Sequence, residues 1–173
     1  MNKTVLANVY RFFGFALLQG LVFQHIGLGW EDFPYLYIIV FPVFIFLLPL
    51  RMPNSLVMLL AFAIGLLVDI FYDSLGLHAS AAVFTAFVRP LVIKIIEPRG
   101  GYNVNLSPTA EHLGIQWFFK YAGILLFLHL FFYFSVEAFT FVYIVDILKK
   151  TFVSYIVSMI FVVIYQLLFN PSD

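Results

Sequence analysis

The sequence predicts an all-α polytopic membrane protein, built as a bundle of six transmembrane helices. Across 173 residues, 64% are hydrophobic and only 10% are charged, a composition typical of integral membrane proteins. The apolar runs are long and apolar on every side, whereas a transmembrane barrel shows segments of about ten residues with alternating polarity. Few residues remain for a soluble domain, so we expect residues 1–173 to form a single transmembrane domain.

Six segments have the length and apolar character of spans, since a spanning helix needs about 20 mainly apolar residues. Arg11 interrupts the first apolar run and no small-residue cleavage site follows, so this run is predicted to be a retained span and not a signal peptide. The second and third spans are separated only by the sequence RMPN, in which Pro53 ends a helix. The predicted spans cover about residues 5–24, 35–50, 55–72, 76–96, 113–135 and 151–169.

The distribution of lysine and arginine predicts the orientation of the bundle. Cytoplasmic ends of membrane spans carry an excess of these residues. With the N-terminus in the cytoplasm, the cytoplasmic ends hold Lys3, Arg11, Arg51, Lys94 and Arg99, whereas the outer loops are mainly acidic. The N-terminus and the C-terminus are therefore both predicted to be cytoplasmic.

Two segments between the predicted spans have a distinct composition. Residues 97–112 contain a Gly-Gly pair and two prolines, which predicts an irregular tether, with a partner-docking loop as the alternative. Residues 135–150 are too apolar for a free loop and too interrupted for a span. They are predicted to form a helix that lies in the outer membrane interface.

Three ionisable residues lie within the stretch VDIFYDSLGLHAS, residues 68–80, in a chain with few charges. Asp69 and Asp73 are four residues apart, so on a continuing helix they share a face with Ala61 and Gly65. The last two form a small-x-x-x-small pair, which permits close approach of another backbone. Because an ionised carboxylate facing lipid is costly, Asp69 is predicted to face the bundle interior.

The third and fourth predicted spans are joined by a short turn, which places Asp69 at the depth of the unpaired N–H groups that begin the fourth span. Asp73 or Ser74 is predicted to cap that helix, Gly76 to permit close approach, and His78 to donate to Asp69. We interpret this group as a structural lock, meaning polar contacts that fix how two helices meet. A proton or ligand site and a set of solvated interface residues are the alternatives.

The remaining basic residues and histidines are expected to have structural roles. Arg89 lies about 18 Å of helical rise beyond the start of the fourth span, so direct pairing with Asp69 is not expected. Arg89, together with Arg11, Lys94 and Lys120, is predicted to extend toward the membrane surface, with a specific pair inside the membrane as the alternative. His129 is predicted to form a hydrogen bond inside the bundle.

Several classes of chemistry find no matching pattern in the sequence. There is no cysteine, no H-E-x-x-H pair and no G-x-S-x-G elbow. Nine basic residues balance nine acidic residues, so no net positive field attracts nucleic acid. The sequence therefore predicts neither an enzyme nor a cofactor or metal site, although an intramembrane acid/base pair from Asp69 and His78 stays open.

Residues 65–90, GLLVDIFYDSLGLHASAAVFTAFVRP, resemble the most recognisable segment of the MreD family of rod shape-determining membrane proteins. The resemblance lies in Gly65, Asp69, Gly76 and the small-residue group Ala79, Ala81 and Ala82. It implies a bundle similar to the substrate-binding subunits of energy-coupling-factor vitamin transporters. It also implies a place in the bacterial cell-wall elongation machinery of the inner membrane, with an MreC-like bitopic protein, a RodA-type glycosyltransferase, a penicillin-binding transpeptidase and, indirectly, MreB as partners.

Two functions follow from this resemblance, and a third possibility, a lipid-binding pocket inside the scaffold, overlaps with the first. The first is a non-catalytic scaffold in the lipid bilayer, in which small residues and the structural lock support packing against a partner's span, with Ala79, Ala82 and Ala86 on the contact face. Its predicted residues are Ala61, Gly65, Asp69, Asp73, Gly76, His78, Ala79, Ala82 and Ala86. The alternative is the substrate-binding subunit of a vitamin transporter. Its outward pocket would be lined by Trp30, Glu31, Asp32, Asp69 and His78.

Overall fold

The computed structural model describes residues 3–27, 35–74, 76–103 and 107–169. The regular secondary-structure elements in these ranges are all helices. The elements in chain order are α1 (Lys3–Leu18), a π-helical turn (Gln19–Phe23), α2 (Gln24–Gly27), α3 (Val43–Phe46), α4 (Asn54–Tyr72), α5 (Leu77–Ile95), α6 (Ala110–Leu113), α7 (Ile115–Ala138), a 3-10 turn (Phe141–Tyr143) and α8 (Ile144–Phe169). The all-α prediction is confirmed for the described residues.

Five helical stretches in the described ranges are long and apolar enough to cross a membrane, one fewer than the sequence predicts. They are Val5–Ile26, Asn54–Tyr72, Leu77–Ile95, Ile115–Ala138 and Phe141–Phe169. The first combines α1, the π-helical turn and most of α2, and the last combines the 3-10 turn with α8. These five stretches make the chain a multi-pass membrane protein by helix length and composition.

The predicted second span is the exception, since residues 35–50 contain only the four-residue helix α3. Pro42 and Pro49 explain the difference, because proline disfavours helical backbone in the residue before it and cannot donate the hydrogen bond that continues a helix. Residues 36–40 are non-helical, and every residue from 38 to 49 is buried. We call residues 35–50 the inner segment, because the other helices surround it.

The inner segment runs from one end of the bundle to the other. Near its start, the ring of Tyr37 lies 5.3 Å from that of Phe134, in the C-terminal part of α7. Near its end, the Phe46 carbonyl accepts a hydrogen bond of 3.1 Å from the Tyr121 hydroxyl, in the N-terminal part of α7. The segment therefore runs antiparallel to α7 through the bundle interior.

Helices α4 and α5 form a hairpin with very close backbones. A Cβ atom added to Gly65 would lie 2.4 Å from the Cα of Ala79, so only glycine fits at this crossing. Ala61 is buried on the same face of α4. The predicted small-x-x-x-small contact is therefore present, and it joins two helices of the same chain.

The small-residue face of α5 lies inside the bundle. Ala79, Ala82 and Ala86 are buried, and α5 packs against α4 and α7. The prediction that this face contacts a partner is corrected, because neighbouring helices of the same chain already cover it.

The described parts of residues 97–109 are irregular, as predicted, but they are attached to the end of the bundle at Tyr102 and at residues 107–109, while residues 97–101 are exposed. The Tyr102 hydroxyl donates a hydrogen bond of 2.8 Å to the Ile93 carbonyl, and Trp117 Nε1 donates one of 3.1 Å to the Ile96 carbonyl. Residues 107–109 are buried. Hydrogen bonds to the last turn of α5 thus hold this connection.

Residues 135–150 do not form a separate interfacial helix. α7 continues to Ala138, and the left-handed backbone of Phe139, with φ of 51°, ends it. The 3-10 turn then leads directly into α8. The predicted interfacial helix is therefore divided between the ends of two spanning helices.

Candidate functional site

Asp69 lies in the last turn of α4 and caps the first turn of α5. Its Oδ1 accepts a hydrogen bond of 2.9 Å from the His78 backbone N–H, and its Oδ2 accepts one of 3.0 Å from the Ala79 N–H. The first N–H groups of a helix have no partner within the helix, and a negative charge there is stabilised by the helix dipole. Asp69 is buried, as predicted. A carboxylate of one helix therefore fixes the start of the next.

Two further side chains bind the same carboxylate. The Ser74 hydroxyl donates a hydrogen bond of 2.7 Å to Asp69 Oδ1, and His78 Nδ1 lies 3.0 Å from that oxygen. The predicted contact between His78 and Asp69 is confirmed. Oδ1 thus has three polar contacts, with the Ser74 hydroxyl, the His78 N–H and His78 Nδ1, and Oδ2 has one, with the Ala79 N–H. Both carboxylate oxygens therefore bind groups of the hairpin itself.

The turn residues act differently from the prediction. The predicted cap by Asp73 or Ser74 is wrong, because Asp69 itself occupies the capping position. Asp73 is exposed and ends α4 in the left-handed conformation, with φ of 50°. Gly76 has φ of 80°, and no atom lies within 4 Å of an added Cβ. Glycine is therefore favoured here by the left-handed backbone of the turn, and not by close packing of α4 against α5.

His78, whose second ring nitrogen is Nε2, also lines a small cavity. Nε2 is buried and has no hydrogen-bond partner among the described residues. The cavity has a volume of about 60 Å³, and its lining includes His78, Gln24, Tyr72 and Tyr133. Pockets for small organic ligands occupy about 300–1,000 Å³. The described cavity is therefore large enough for water but not for a vitamin-sized molecule.

Gln19 binds one edge of the inner segment, a role that the sequence analysis missed. Its Nε2 donates a hydrogen bond of 2.8 Å to the Ile38 carbonyl, and its Oε1 accepts one of 2.8 Å from the Val40 N–H. Gln19 begins the π-helical turn, a feature that occurs frequently at functional sites. The side-chain amide thus replaces the backbone partners that a helix would supply.

Two serines of α8 bind the opposite edge of the same segment. Ser154 Oγ accepts a hydrogen bond of 3.1 Å from the Tyr37 N–H, and Ser158 Oγ accepts one of 2.9 Å from the Ile39 N–H. Residues four apart lie on the same face of a helix. Non-helical backbone at membrane depth occurs only where protein or water satisfies its polar groups. Side chains of α8 meet that requirement here.

Replacing Gln19 with leucine should lower the free energy of unfolding by about 2–4 kcal/mol, because buried backbone groups of Ile38 and Val40 lose their partners. Thermal unfolding in detergent, followed by the loss of the monodisperse peak, measures the change. The exposed Gln116, at the start of α7, provides the control Gln116→Leu, which should change stability by less than about 0.5 kcal/mol. Equal melting temperatures for both variants would contradict the role of Gln19.

Arg89 binds the far end of the inner segment. Its Nε donates a hydrogen bond of 2.8 Å to the Tyr121 hydroxyl, and its Nη2 donates to the Leu48 carbonyl. The predicted extension of Arg89 toward the membrane surface is wrong, since the residue is only 2% exposed. Leu48 follows α3, and carbonyls near a helix C-terminus favour a cation. Polar acceptors within the bundle therefore hold the guanidinium in place.

His129 forms the predicted hydrogen bond inside the bundle. Its Nδ1 lies 2.7 Å from Thr85 Oγ1, whose hydroxyl donates to the Ala81 carbonyl at 2.8 Å. Thr85 therefore accepts the hydrogen bond from His129, and the pair joins α5 to α7.

The residues predicted for an outward ligand pocket are only partly described. Asp69 and His78 lie together, whereas Trp30, Glu31 and Asp32 fall outside the described residues. Within the described ranges, no three histidine, aspartate or glutamate side chains form a group that could hold a metal ion. The arrangement that is seen caps helices and supports non-helical backbone.

Comparison of the chain with protein-family models, curated proteins and solved structures gives no match. The resemblance of residues 65–90 to the MreD family therefore stays a prediction based on these residues alone.

Proposed function

We propose that this chain is a non-catalytic scaffold of the cell-wall elongation machinery in the bacterial inner membrane. In this role it helps to maintain cell shape by binding an MreC-like bitopic protein. Through that complex it is linked to a RodA-type glycosyltransferase and a penicillin-binding transpeptidase, and indirectly to MreB. The proposal rests on the MreD-like residues 65–90 and on the way in which the bundle uses its polar side chains.

The engagement of Asp69 is the observation that carries the scaffold role. A carboxylate that binds a ligand or transfers a proton needs an oxygen directed at that ligand. Both oxygens of Asp69 instead accept hydrogen bonds from the start of α5. The most prominent acidic residue of the MreD-like segment thus supports helix packing, which favours a protein that acts through its shape and surfaces.

A topology of six crossings fits the proposal if the inner segment is counted as a crossing. That segment runs antiparallel to α7, so the five spanning helices and the inner segment together give an even number of passes. Arg51, Lys94 and Arg99 are exposed. Arg51 directly follows the inner segment, Lys94 lies in the last turn of α5, and Arg99 comes shortly after that helix. The positive-inside rule supports a cytoplasmic location for that end and for both termini.

A vitamin-transporter subunit is the rival function. The observation that favours it is that His78 lines a cavity and that its Nε2 has no hydrogen-bond partner among the described residues. The volume of about 60 Å³ argues against it, because it is several times smaller than a typical ligand pocket. We therefore place the scaffold first.

Gentle extraction of a tagged copy at native expression, followed by mass spectrometry of the bound proteins, tests the proposal. The scaffold role predicts recovery of an MreC-like protein with a RodA-type glycosyltransferase or a penicillin-binding transpeptidase. A matched sample of the Asp69→Ala variant should recover less of the same proteins. Recovery of paired ATPases with a coupling membrane subunit would overturn the scaffold in favour of a transporter.

A further inference from the structure

We propose that the groove between the end of α7 and the start of α8 binds a phospholipid whose headgroup carries both a phosphate and a primary ammonium, as in phosphatidylethanolamine. The groove has a volume of about 570 Å³. Its lining includes Tyr35, Phe134, Glu137, Tyr143, Asp146 and Lys150. This inference does not depend on the proposed scaffold function, since it concerns only the lipid at one site.

The position of the groove corresponds to the surface of a bilayer. Beside it, Phe139, Phe141 and Val142 are 92%, 72% and 82% exposed, and they lie where the stretch Ile115–Ala138 ends and the stretch Phe141–Phe169 begins, both long and apolar enough to span a membrane. Strongly exposed apolar side chains at the end of spanning helices are stable where they insert at the boundary between headgroups and acyl chains. Lipid headgroups are therefore the molecules that this groove meets at high concentration.

The groove offers charges of both signs. Lys150 Nζ lies 2.8 Å from Glu137 Oε2, and the two side chains are 25% and 28% exposed. Asp146 is paired with Lys149 at 3.8 Å, and both of these side chains are about half exposed. A zwitterionic headgroup complements such a set, because its phosphate meets a lysine while its ammonium meets a carboxylate. The two lysines already balance the two carboxylates, so an anionic lipid without an ammonium would add a negative charge that nothing in this group offsets.

Aromatic rings add a second way to bind the ammonium. Lys149 Nζ lies 5.6 Å from the centre of the Tyr35 ring, which shows that an ammonium and an aromatic ring pair at this site, although the Lys149 side chain itself fills that position. Tyr143 is 58% exposed and lines the same groove next to Asp146. A cation near both a carboxylate and an aromatic ring gains Coulomb and cation–π attraction. The combination favours an ammonium over an uncharged headgroup.

Native mass spectrometry of the full purified chain tests the proposal directly. The protein is incubated with equal amounts of phosphatidylethanolamine and phosphatidylglycerol that have identical acyl chains. We expect wild type to retain the former about fivefold more, which corresponds to the loss of one partly exposed charge contact. Equal retention of the two lipids would overturn the proposal.

Substitutions in the groove locate the site. Asp146→Asn should reduce the preference for phosphatidylethanolamine to near unity, and Lys150→Met should weaken retention of both lipids. Asp73→Asn is the matched control, because Asp73 is an exposed carboxylate at the same end of the bundle but outside the groove lining. An unchanged preference in Asp146→Asn would contradict the assignment. Displacement of the bound lipid by soluble phosphoethanolamine at equal concentration would also overturn it, since the site would then bind a soluble ligand.

Discussion

Replacing Gly65 with alanine should destabilise the bundle by about 3 kcal/mol, although the change adds only one methyl group. The added Cβ would lie 2.4 Å from the Cα of Ala79 and 2.9 Å from the His78 carbonyl oxygen. These are backbone atoms, so the clash is relieved only if α4 and α5 separate. Separation would also lengthen the hydrogen bonds from Asp69 to the first turn of α5. The melting temperature of the purified variant in detergent measures the effect.

Gly14 provides the matched control for this prediction. It also lies within a helix, α1, but no atom is within 4 Å of an added Cβ. Gly14→Ala should therefore leave stability unchanged or raise it slightly, because alanine favours helix over glycine. If Gly65→Ala and Gly14→Ala melt at the same temperature, the close crossing of α4 and α5 is incorrect.

Replacing Asp69 with alanine should lower the free energy of unfolding by about 3–5 kcal/mol. The backbone N–H groups of His78 and Ala79 would be left without an acceptor in the bundle interior, and each buried unsatisfied donor costs about 1–3 kcal/mol. The hydroxyl of Ser74 would also lose its acceptor. Thermal unfolding and the yield of folded protein from membranes both report the loss.

Asp73→Asn is the control for Asp69, because it changes a second carboxylate of the same hairpin. Asp73 is exposed and its φ is 50°, a backbone conformation that asparagine tolerates well. We expect a change of less than about 0.5 kcal/mol. Equal sensitivity of the two positions would show that general charge at this end of the bundle, and not capping by Asp69, stabilises the hairpin.

The hairpin was the most predictable part of the structure. A lone aspartate near the end of an apolar run must find a polar partner, and a small-x-x-x-small pair indicates close helix packing. These two arguments correctly predicted the burial of Asp69, its contact with His78 and the close approach of another backbone to Gly65. They did not predict the cap, because Asp73 and Ser74 are closer in sequence to the start of α5, and the sequence alone does not show that the Asp69 carboxylate reaches those N–H groups instead.

The inner segment was not predictable from composition. Residues 35–50 are as apolar as a spanning helix, and hydropathy does not distinguish a helix in lipid from non-helical backbone that the bundle surrounds. Pro42 and Pro49 were the available signal in the segment itself. A second signal lay elsewhere, in the isolated polar residues Gln19, Ser154 and Ser158 within apolar runs. Their partners are backbone groups distant in sequence, so only the tertiary structure identifies them.

The small-residue face of α5 was misassigned for a similar reason. Ala79, Ala82 and Ala86 indicate close packing, but small residues do not reveal whether the neighbouring helix belongs to the same chain. Their burial within the bundle shifts any partner contact to the outward faces of the helices.

The most direct test of the central claim, that Asp69 acts through structure, compares stability and partner recovery in one Asp69→Asn variant. Asparagine keeps the shape of the side chain, but its amide nitrogen replaces one of the two acceptor oxygens and cannot accept the hydrogen bond from the backbone N–H that faces it. We predict a lower melting temperature, with partner recovery reduced in proportion to the amount of folded protein. The contradicting result is a variant that melts at the wild-type temperature but binds no partner proteins on extraction, or does not support normal cell shape. That result would assign Asp69 a chemical role.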